Sequence, residues 1–248
     1  MLSEKRYQEI LKRMEETGYV TIKDLVDQLQ VSESTIRRDL SLLETQNYLT
    51  RVHGGAKKVY QLAGEADLLE KAKVNPQAKK VIAIKAAQEI EPNETIFLDA
   101  GTTTYQLAEV LNDETVRVVT NGLDHALLCS QKGHQVILIG GQYKASTGAI
   151  VGATAIEQMK SYHFNRSFVG MNGIDLDSGL TTPDPAEAAL KQAAIRHANR
   201  AYVLVDQSKF GQVAFAKVAD LDEVTLITQA DHQKQLEEFR KMTTILEA

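Results

Sequence analysis

From residue 76 onward the chain alternates two kinds of segment, and this alternation limits its fold more than any other feature. Residues 95–98, 117–120, 135–139, 166–169, 201–205 and 224–227 are short runs rich in β-branched and aromatic residues and read as strands. Residues 77–90, 103–112, 123–131, 153–161, 184–199 and 232–242 have helical spacing. Near-continuous apolar strands separated by helices predict an α/β domain, a mostly parallel sheet with both faces covered. A length of 248 residues leaves room for a second, smaller unit. Cys129 is the single cysteine, so no intrachain disulfide can form, and its place beside Leu127 and Leu128 predicts a packed core thiol. The charged start Ser3-Glu4-Lys5-Arg6 and the lack of an apolar run near the roughly 18 residues of a membrane helix predict a cytoplasmic protein with no membrane partner.

The first sixty residues follow a different pattern. Ser3 can cap a helix with Tyr7, Ile10, Leu11 and Met14 on one face, ending at Gly18. A second helix begins near Thr21 and buries Ile22, Leu25, Val26 and Leu29. After a tight turn at Gln30-Val31, Ser32 caps a third helix, which buries Ile36, Leu40 and Leu43. Counting 100° per residue puts Ser34, Arg38, Ser41 and Thr45 opposite that stripe, with Thr35 and Arg37 on its flanks. Residues 48–53 then read as a strand, Gly54-Gly55 as a two-residue hairpin turn, and residues 56–59 as the return strand. Two helices, a tight turn and a basic hairpin make a winged helix-turn-helix over 1–58. Hydroxyls and guanidinium groups on the third helix face base edges in such a domain, while Arg51, His53, Lys57 and Lys58 on the wing meet phosphates. The alternative is a three-helix bundle with a solvated face. Net charge −5 argues against a general nucleic-acid coat, but residues 1–58 carry +1 and the remainder −6, which suits a DNA-binding head on an acidic body.

Residues 59–75 predict a linker with a helical stretch. Beyond it, loops following the strands are rich in small and hydroxyl residues: Asp99-Ala100-Gly101-Thr102-Thr103-Thr104, Thr120-Asn121-Gly122, Gly140-Gly141, Gly170-Met171-Asn172-Gly173 and Asp206-Gln207-Ser208-Lys209. Ligands of open α/β sheets lie beyond the carboxyl ends of strands, and a small-residue loop opening a helix suits an anion. Each loop alone is as readily a tight turn or a helix cap. Their recurrence at one sheet edge predicts a site for a phosphate-bearing ligand, with Lys209 facing it; Glu187 fits a ligand contact or a first-turn helix acid equally well. The six histidines have no metal-ligand spacing, and no cofactor motif such as G-x-G-x-x-G or a Walker A sequence is present.

The run Val31-Ser32-Glu33-Ser34-Thr35-Ile36-Arg37-Arg38-Asp39-Leu40, then Leu43-Glu44 and Arg51-Val52-His53-Gly54-Gly55-Ala56, resembles the head of the DeoR family of bacterial sugar-metabolism repressors. Gln30 departs from the pattern, standing in a turn where many relatives carry glycine. The resemblance implies a homo-oligomer, dimer or higher, that binds double-stranded operator DNA and responds to a phosphorylated sugar. It leans toward fructose-operon repressors and so toward fructose 1-phosphate. Residues 76–248 resemble the family's sensor domain, which is in turn similar to ribose-5-phosphate isomerase. Val205–Lys209 and Asn172-Gly173-Ile174-Asp175 carry that second likeness, and Glu187 and Lys191 lie near its Glu-Lys pair. Asn172 replaces a carboxylate, and Thr181-Thr182-Pro183-Asp184-Pro185 replaces a glycine–lysine loop, so the resemblance implies a binding shell without chemistry. Effector contacts implied at this edge are Asp99, Gly101, Thr102, Thr103, Thr104, Thr120, Asn121, Gly140, Gly141, Asn172, Gly173, Asp175, Glu187 and Lys209. The competing readings are a sugar-phosphate isomerase with a DNA-binding head, and a DNA-binding module whose large domain only oligomerises.

Overall fold

The computed structural model describes residues 3–58, 68–229 and 233–248. The chain divides into two compact units, 1–61 and 62–248. The nine residues 59–67 of the expected linker lie outside the described residues.

The first unit runs α1 (Ser3–Thr17), β1 (Tyr19–Thr21), α2 (Ile22–Leu29), α3 (Glu33–Thr45), β2 (Leu49–Val52) and β3 (Gly55–Lys58). Ile10, Met14, Leu25, Ile36, Leu40, Leu43 and Leu49 form its buried core. Gly18 stops α1 in a left-handed conformation, φ 73°, and its N–H donates to the Met14 carbonyl at 2.9 Å. Thr21 caps α2 by accepting the Asp24 N–H at 3.0 Å, and Ser32 caps α3 through the Thr35 N–H at 3.2 Å. At the turn between α2 and α3, Gln30 takes φ 53° and ψ 45°, the conformation a glycine would adopt freely, and its side-chain amide donates back to the Asp27 carbonyl.

The hairpin differs from the sequence expectation by one residue. Val52 pairs with Gly55, so the two-residue turn is His53-Gly54, with Gly54 at φ 82°, and Gly55 belongs to the return strand. A third strand, β1, was not expected from three residues between helices; it pairs with β3, giving the order β1-β3-β2. Gly55 makes that pairing possible, because a Cβ there would stand 2.1 Å from the Val20 carbonyl oxygen. Asp39 lies on the inner side of α3. It is fully buried, and Arg6 of α1 grips it with a bidentate pair, tying α1 to α3.

The second unit contains α4 (Leu68–Lys73), α5 (Pro76–Ala87), β4 (Thr95–Leu98), α6 (Thr102–Val110), β5 (Arg117–Thr120), α7 (Leu123–Gln131), β6 (Val136–Leu138), β7 (Gln142–Lys144), β8 (Ala149–Val151) and α8 (Ala153–Lys160). It continues with β9 (Phe164–Gly170), β10 (Gly173–Asp175), β11 (Gly179–Thr182), α9 (Pro185–Arg196), β12 (Ala198–Leu204), β13 (Ala216–Ala219), β14 (Thr225–Thr228), α10 (Gln233–Arg240) and β15 (Thr244–Glu247). Seven strands form a parallel sheet in the order β15-β14-β12-β9-β4-β5-β6. Alternation along each strand feeds two cores. Phe97, Val119, Val169, Val203 and Leu226 pack with α8, α9 and α10; Ile96, Leu98, Val118, Phe168 and Ile227 pack with α5, α6 and α7, where Cys129 is fully buried. The expected helix 184–199 ends early. Asp184 and Pro185 start α9, but Ala198 already pairs with Phe164, so residues 198–200 extend the central strand β12. The expected strands omitted β15 and two smaller sheets, the β7–β8 hairpin and the antiparallel trio β10-β11-β13. From β4 the sheet grows one way through β5 and β6 and the other way through β9, which places its switch point between β4 and β9.

Removing Asp39 would leave the buried Arg6 guanidinium without its carboxylate, which costs about 3–5 kcal/mol, comparable with the whole stability of a unit this small. In Asp39→Ala, amide exchange in α1 and α3 should approach that of an unfolded chain while the seven-stranded sheet stays protected. A paired Arg6→Met/Asp39→Leu replacement should restore most of the protection.

Candidate functional site

The carboxyl ends of β4, β9 and β12 border a cavity of about 300 Å³, whose remaining wall comes from α4, the start of α5 and α9. Asp99 stands at the switch point. Its carboxylate accepts the Gly170 N–H at 3.1 Å and pairs with the buried Lys191 ammonium, bracing β4 against β9 and α9. The loop after it is shaped by Thr104, whose hydroxyl donates to the Asp99 carbonyl and accepts the Gly101 N–H at 2.9 Å. That bracing leaves the first residues of α6, Thr102 and Thr103, on the cavity wall, where the helix N-terminus favours an anion.

Of the other carboxylates on the wall, Glu70 of α4 is exposed, while Glu187 and Asp206 already have partners. Glu187 accepts the Thr147 hydroxyl at 2.8 Å and the Lys144 ammonium at 3.2 Å. Burial works against its ionised form, but Lys191, Thr147 and Lys144 outweigh that and hold its pKa below the usual range. Asp206 caps the turn after β12 by accepting the Ser208 N–H at 2.9 Å and takes the Asn75 side-chain amide at 3.0 Å. Burial again opposes ionisation, and the bonds from Ser208 and Asn75 prevail, lowering its pKa. Lys79 and Lys209, by contrast, have no carboxylate within ion-pair distance among the described residues. A smaller, more apolar cavity of about 180 Å³ shares Leu68, Lys79, Ala100, Gly101, Thr102 and Thr147 with the first and adds Pro76, Tyr105 and His125.

Of the residues expected at this edge, Asp99, Gly101, Thr102, Thr103, Asn172, Glu187 and Lys209 line the larger cavity. The others stand behind it or away from it. Thr104 braces the loop as described. Thr120 accepts the Gly122 N–H, and Asn121 accepts the Ala100 N–H at 3.0 Å while donating to the Ile150 carbonyl. The Gly140 N–H binds the Gln158 side chain, and Gly141, at φ 153°, packs against the Val151 carbonyl. Gly173 is squeezed against the Gln212 carbonyl, and Asp175 caps the β10–β11 turn through the Asp177 and Ser178 N–H groups. Asn172 itself accepts the Thr182 hydroxyl at 3.0 Å. The sequence reading left out Lys71, Lys79 and Thr147, named Asp206 only as part of its loop, and noted Lys191 only through a likeness. For Lys79 a signal existed: it falls on the stripe Lys79, Ile82, Ala83, Ala86 that α5 buries.

In the first unit the expected DNA-contacting residues lie on α3, β2, the wing turn and β3. Arg38 is exposed, with no hydrogen bond or ion pair among the described residues. Arg37 is held by Glu33 at 2.6 Å, one turn earlier. The Ser34 and Thr35 hydroxyls both meet that of Ser32, at 2.9 and 2.8 Å. Arg51 of β2 donates to the Ser41 hydroxyl at 2.6 Å, and its N–H binds Glu44 at 2.8 Å, so the wing is fastened to α3. His53 is exposed at the turn, and Lys57 and Lys58 sit half-buried on β3.

Residues 6–61 match the DeoR-like helix-turn-helix domain, and residues 74–230 match the DeoR C-terminal sensor domain. Over 246 residues the chain is 42% identical to an uncharacterized HTH-type transcriptional regulator, FruR, of Bacillus subtilis (strain 168), covering 99% of this chain and 98% of the relative. It is 34% identical over 252 residues to the lactose phosphotransferase system repressor of Streptococcus mutans serotype c, with 99% and 100% covered. It is 31% identical over 229 residues to the glycerol-3-phosphate regulon repressor of Escherichia coli (strain K12), with 92% and 90% covered. Among solved structures, ribose 5-phosphate isomerase A of Methanocaldococcus jannaschii aligns with a TM-score of 0.42 and 17% identity over 55% of each chain, too distant a likeness to bear on chemistry. Among the described residues no helix is long and apolar enough to cross a membrane, and no cluster of three or more His, Cys, Asp or Glu could hold a metal.

His125 supports the Gly101 loop from below, its ring nitrogen within 3.2 Å of the Thr104 hydroxyl and 3.1 Å of the Gly101 carbonyl. Burial pushes its pKa down to about 4. The unfolded chain therefore binds a proton more readily than the folded one. The contribution of neutral His125 is fully present above pH 6.5 and is lost as pH falls toward 4, by about 3 kcal/mol. Urea unfolding at pH 7 and pH 4 should register this loss in the sensor unit, and His125→Gln, which does not titrate there, should flatten the difference.

Proposed function

This chain belongs to the DeoR family of helix-turn-helix transcriptional regulators, and from that premise we propose that it represses a carbohydrate uptake or catabolic operon and leaves operator DNA when a phosphorylated sugar fills the cavity of its sensor unit. The observation that carries this reading is the pair of ammonium groups, Lys79 and Lys209, without carboxylate partners among the described residues, in a cavity that also receives the N-terminus of α6. Such a site stabilises a phosphate and has no equal use for a neutral sugar. Gly101, Thr102, Thr103, Lys79 and Lys209 take the phosphate end, and Asn172 and Glu187 the sugar hydroxyls; Asp99, Thr104, Thr120, Asn121, Gly140, Gly141, Gly173 and Asp175 act behind them as supports. Fructose 1-phosphate is the first ligand to test, on the strength of the sequence resemblance. The protein works in the cytoplasm as a homo-oligomer, because one small recognition helix reads too few base pairs to specify an operator alone. Ligand binding proceeds without turnover: Asn172 presents an amide where a general base needs a carboxylate.

On DNA, Arg38 reads base edges, with Ser34, Thr35, Arg37 and Ser41 beside it, while Arg51, His53, Lys57 and Lys58 hold the backbone. Arg38→Ala should weaken operator binding by about 1–3 kcal/mol with little effect on random DNA. Lys57→Ala should weaken both and lower the salt dependence by about one unit. Unchanged operator affinity in an Arg37/Arg38 double alanine variant excludes α3 as the recognition helix.

Operator and ligand must weaken each other's binding by the same factor. Lys209→Ala should reduce fructose 1-phosphate affinity roughly 10- to 150-fold, the loss of one hydrogen bond to a charged group, with unchanged operator affinity in the ligand's absence. A thermal-shift series over phosphorylated sugars measures the binding, since a ligand bound only to the folded state raises its stability. No shift with any of them overturns the sensor reading, and aldose–ketose turnover that depends on Glu187 would favour an enzyme instead.

A further inference from the structure

Lys79 is a lysine in a core position of α5, only 5% exposed and lacking a carboxylate partner. Its ammonium donates to two main-chain carbonyls, those of Lys71 and of Val74, the latter at 2.5 Å. These carbonyls close the C-terminal end of α4, where a helix concentrates partial negative charge. The chain then passes through Asn75, held left-handed at φ 49° and ψ 49°, a conformation that asparagine adopts more readily than most residues other than glycine. Asn75 has a second anchor, the Asp206 carboxylate. The turn between α4 and α5 is thus held by one buried ammonium and one buried carboxylate, and both of these charged groups stand in the wall of the ligand cavity.

The balance of forces at Lys79 is uneven. Burial pushes its pKa down, Asp206 opposes that, and Lys209 and Lys71 add to it. Two neutral carbonyls are a modest return for a desolvated cation. A phosphate monoester is a charge-assisted acceptor, roughly twice as strong as a neutral one. We infer that Lys79 is both the anion contact of the cavity and the latch of the α4–α5 turn: on ligand binding it leaves the Lys71 and Val74 carbonyls for the phosphate, and α4 loosens. α4 is the first described element of the sensor unit. This inference rests on the ligand cavity proposed above, and it adds what that reading lacks, a specific bond that differs between the empty and filled states.

Hydrogen exchange of the full chain over residues 68–76 tests it, with fructose 1-phosphate as ligand and inorganic phosphate as its fragment. In the wild type, saturating fructose 1-phosphate should raise exchange across this segment at least fivefold, with inorganic phosphate acting in the same direction at higher concentration. Lys79→Met should exchange at the faster rate without ligand and bind fructose 1-phosphate at least tenfold more weakly. Lys209→Ala should bind more weakly too but keep the slow exchange of the empty wild type, which separates loss of ligand from loss of the latch. If the ligand raises thermal stability yet exchange over 68–76 stays unchanged or slows, the latch is overturned while the cavity reading stands. Slow exchange in ligand-free Lys79→Met overturns it as well. If no phosphorylated sugar binds, the cavity reading fails and the latch with it.

Discussion

Asp99 is the residue on which the sensor unit is organised. It directly follows strand β4 at the point where the sheet changes its direction of growth, and its carboxylate holds both the Gly170 N–H of β9 and the Lys191 ammonium of α9. A buried carboxylate costs several kcal/mol unless it is paired and hydrogen-bonded, so those two donors are obligatory partners. By fixing them it fixes the spacing of the two strand ends, and hence the mouth of the cavity. The Thr104 hydroxyl then folds the following loop back onto the Asp99 carbonyl, with His125 and Asn121 beneath, so that α6 begins at the cavity wall. Much of the shell that sequence inspection marks as ligand-contacting is in fact this underlayer.

The same rule, that a buried charge must be matched, governs the small unit. Arg6 and Asp39 are matched to each other and lock α1 to α3. On the outer surface Arg37 is occupied by Glu33 and Arg51 by Ser41, leaving Arg38 as the guanidinium open to a new partner. Exposed pairs of this kind are worth under about 1 kcal/mol, so the Arg37–Glu33 contact orients a side chain without withholding it from DNA. Asp39 is buried and so takes no part in the charge of this outer face.

Set against these matched pairs, Lys79 and Lys209 stand out as cations with no carboxylate within ion-pair distance among the described residues. On the same wall Asp99, Glu187 and Asp206 each accept other donors. Around the cavity Glu70, Asp99, Glu187 and Asp206 equal Lys71, Lys79, Lys191 and Lys209 in number, so the pairing of these charges, not their sum, sets Lys79 and Lys209 apart.

Composition and periodicity by themselves determined the architecture: three helices and a basic hairpin ahead of a parallel α/β sheet, because hydrophobic period, caps and turn residues are local signals. They also located the Gly101–Thr104 loop, the Asn172 loop and Lys209, which follow strands at recognisable positions. The one-residue shift of the wing turn, the strand β1 and the early end of α9 were decided by pairing with distant strands, through Val20 against Gly55 and Ala198 against Phe164. Which of the loop residues face the cavity and which brace it was likewise a tertiary matter, since Thr104 and Asn121 differ from their neighbours only in what lies across from them. Lys79 is the clearest case. Its helical register already put it on a buried stripe, but a buried lysine acquires a meaning only from its surroundings, and the two carbonyls it binds and the cavity it borders belong to a turn and to strand ends brought beside it by the folded chain.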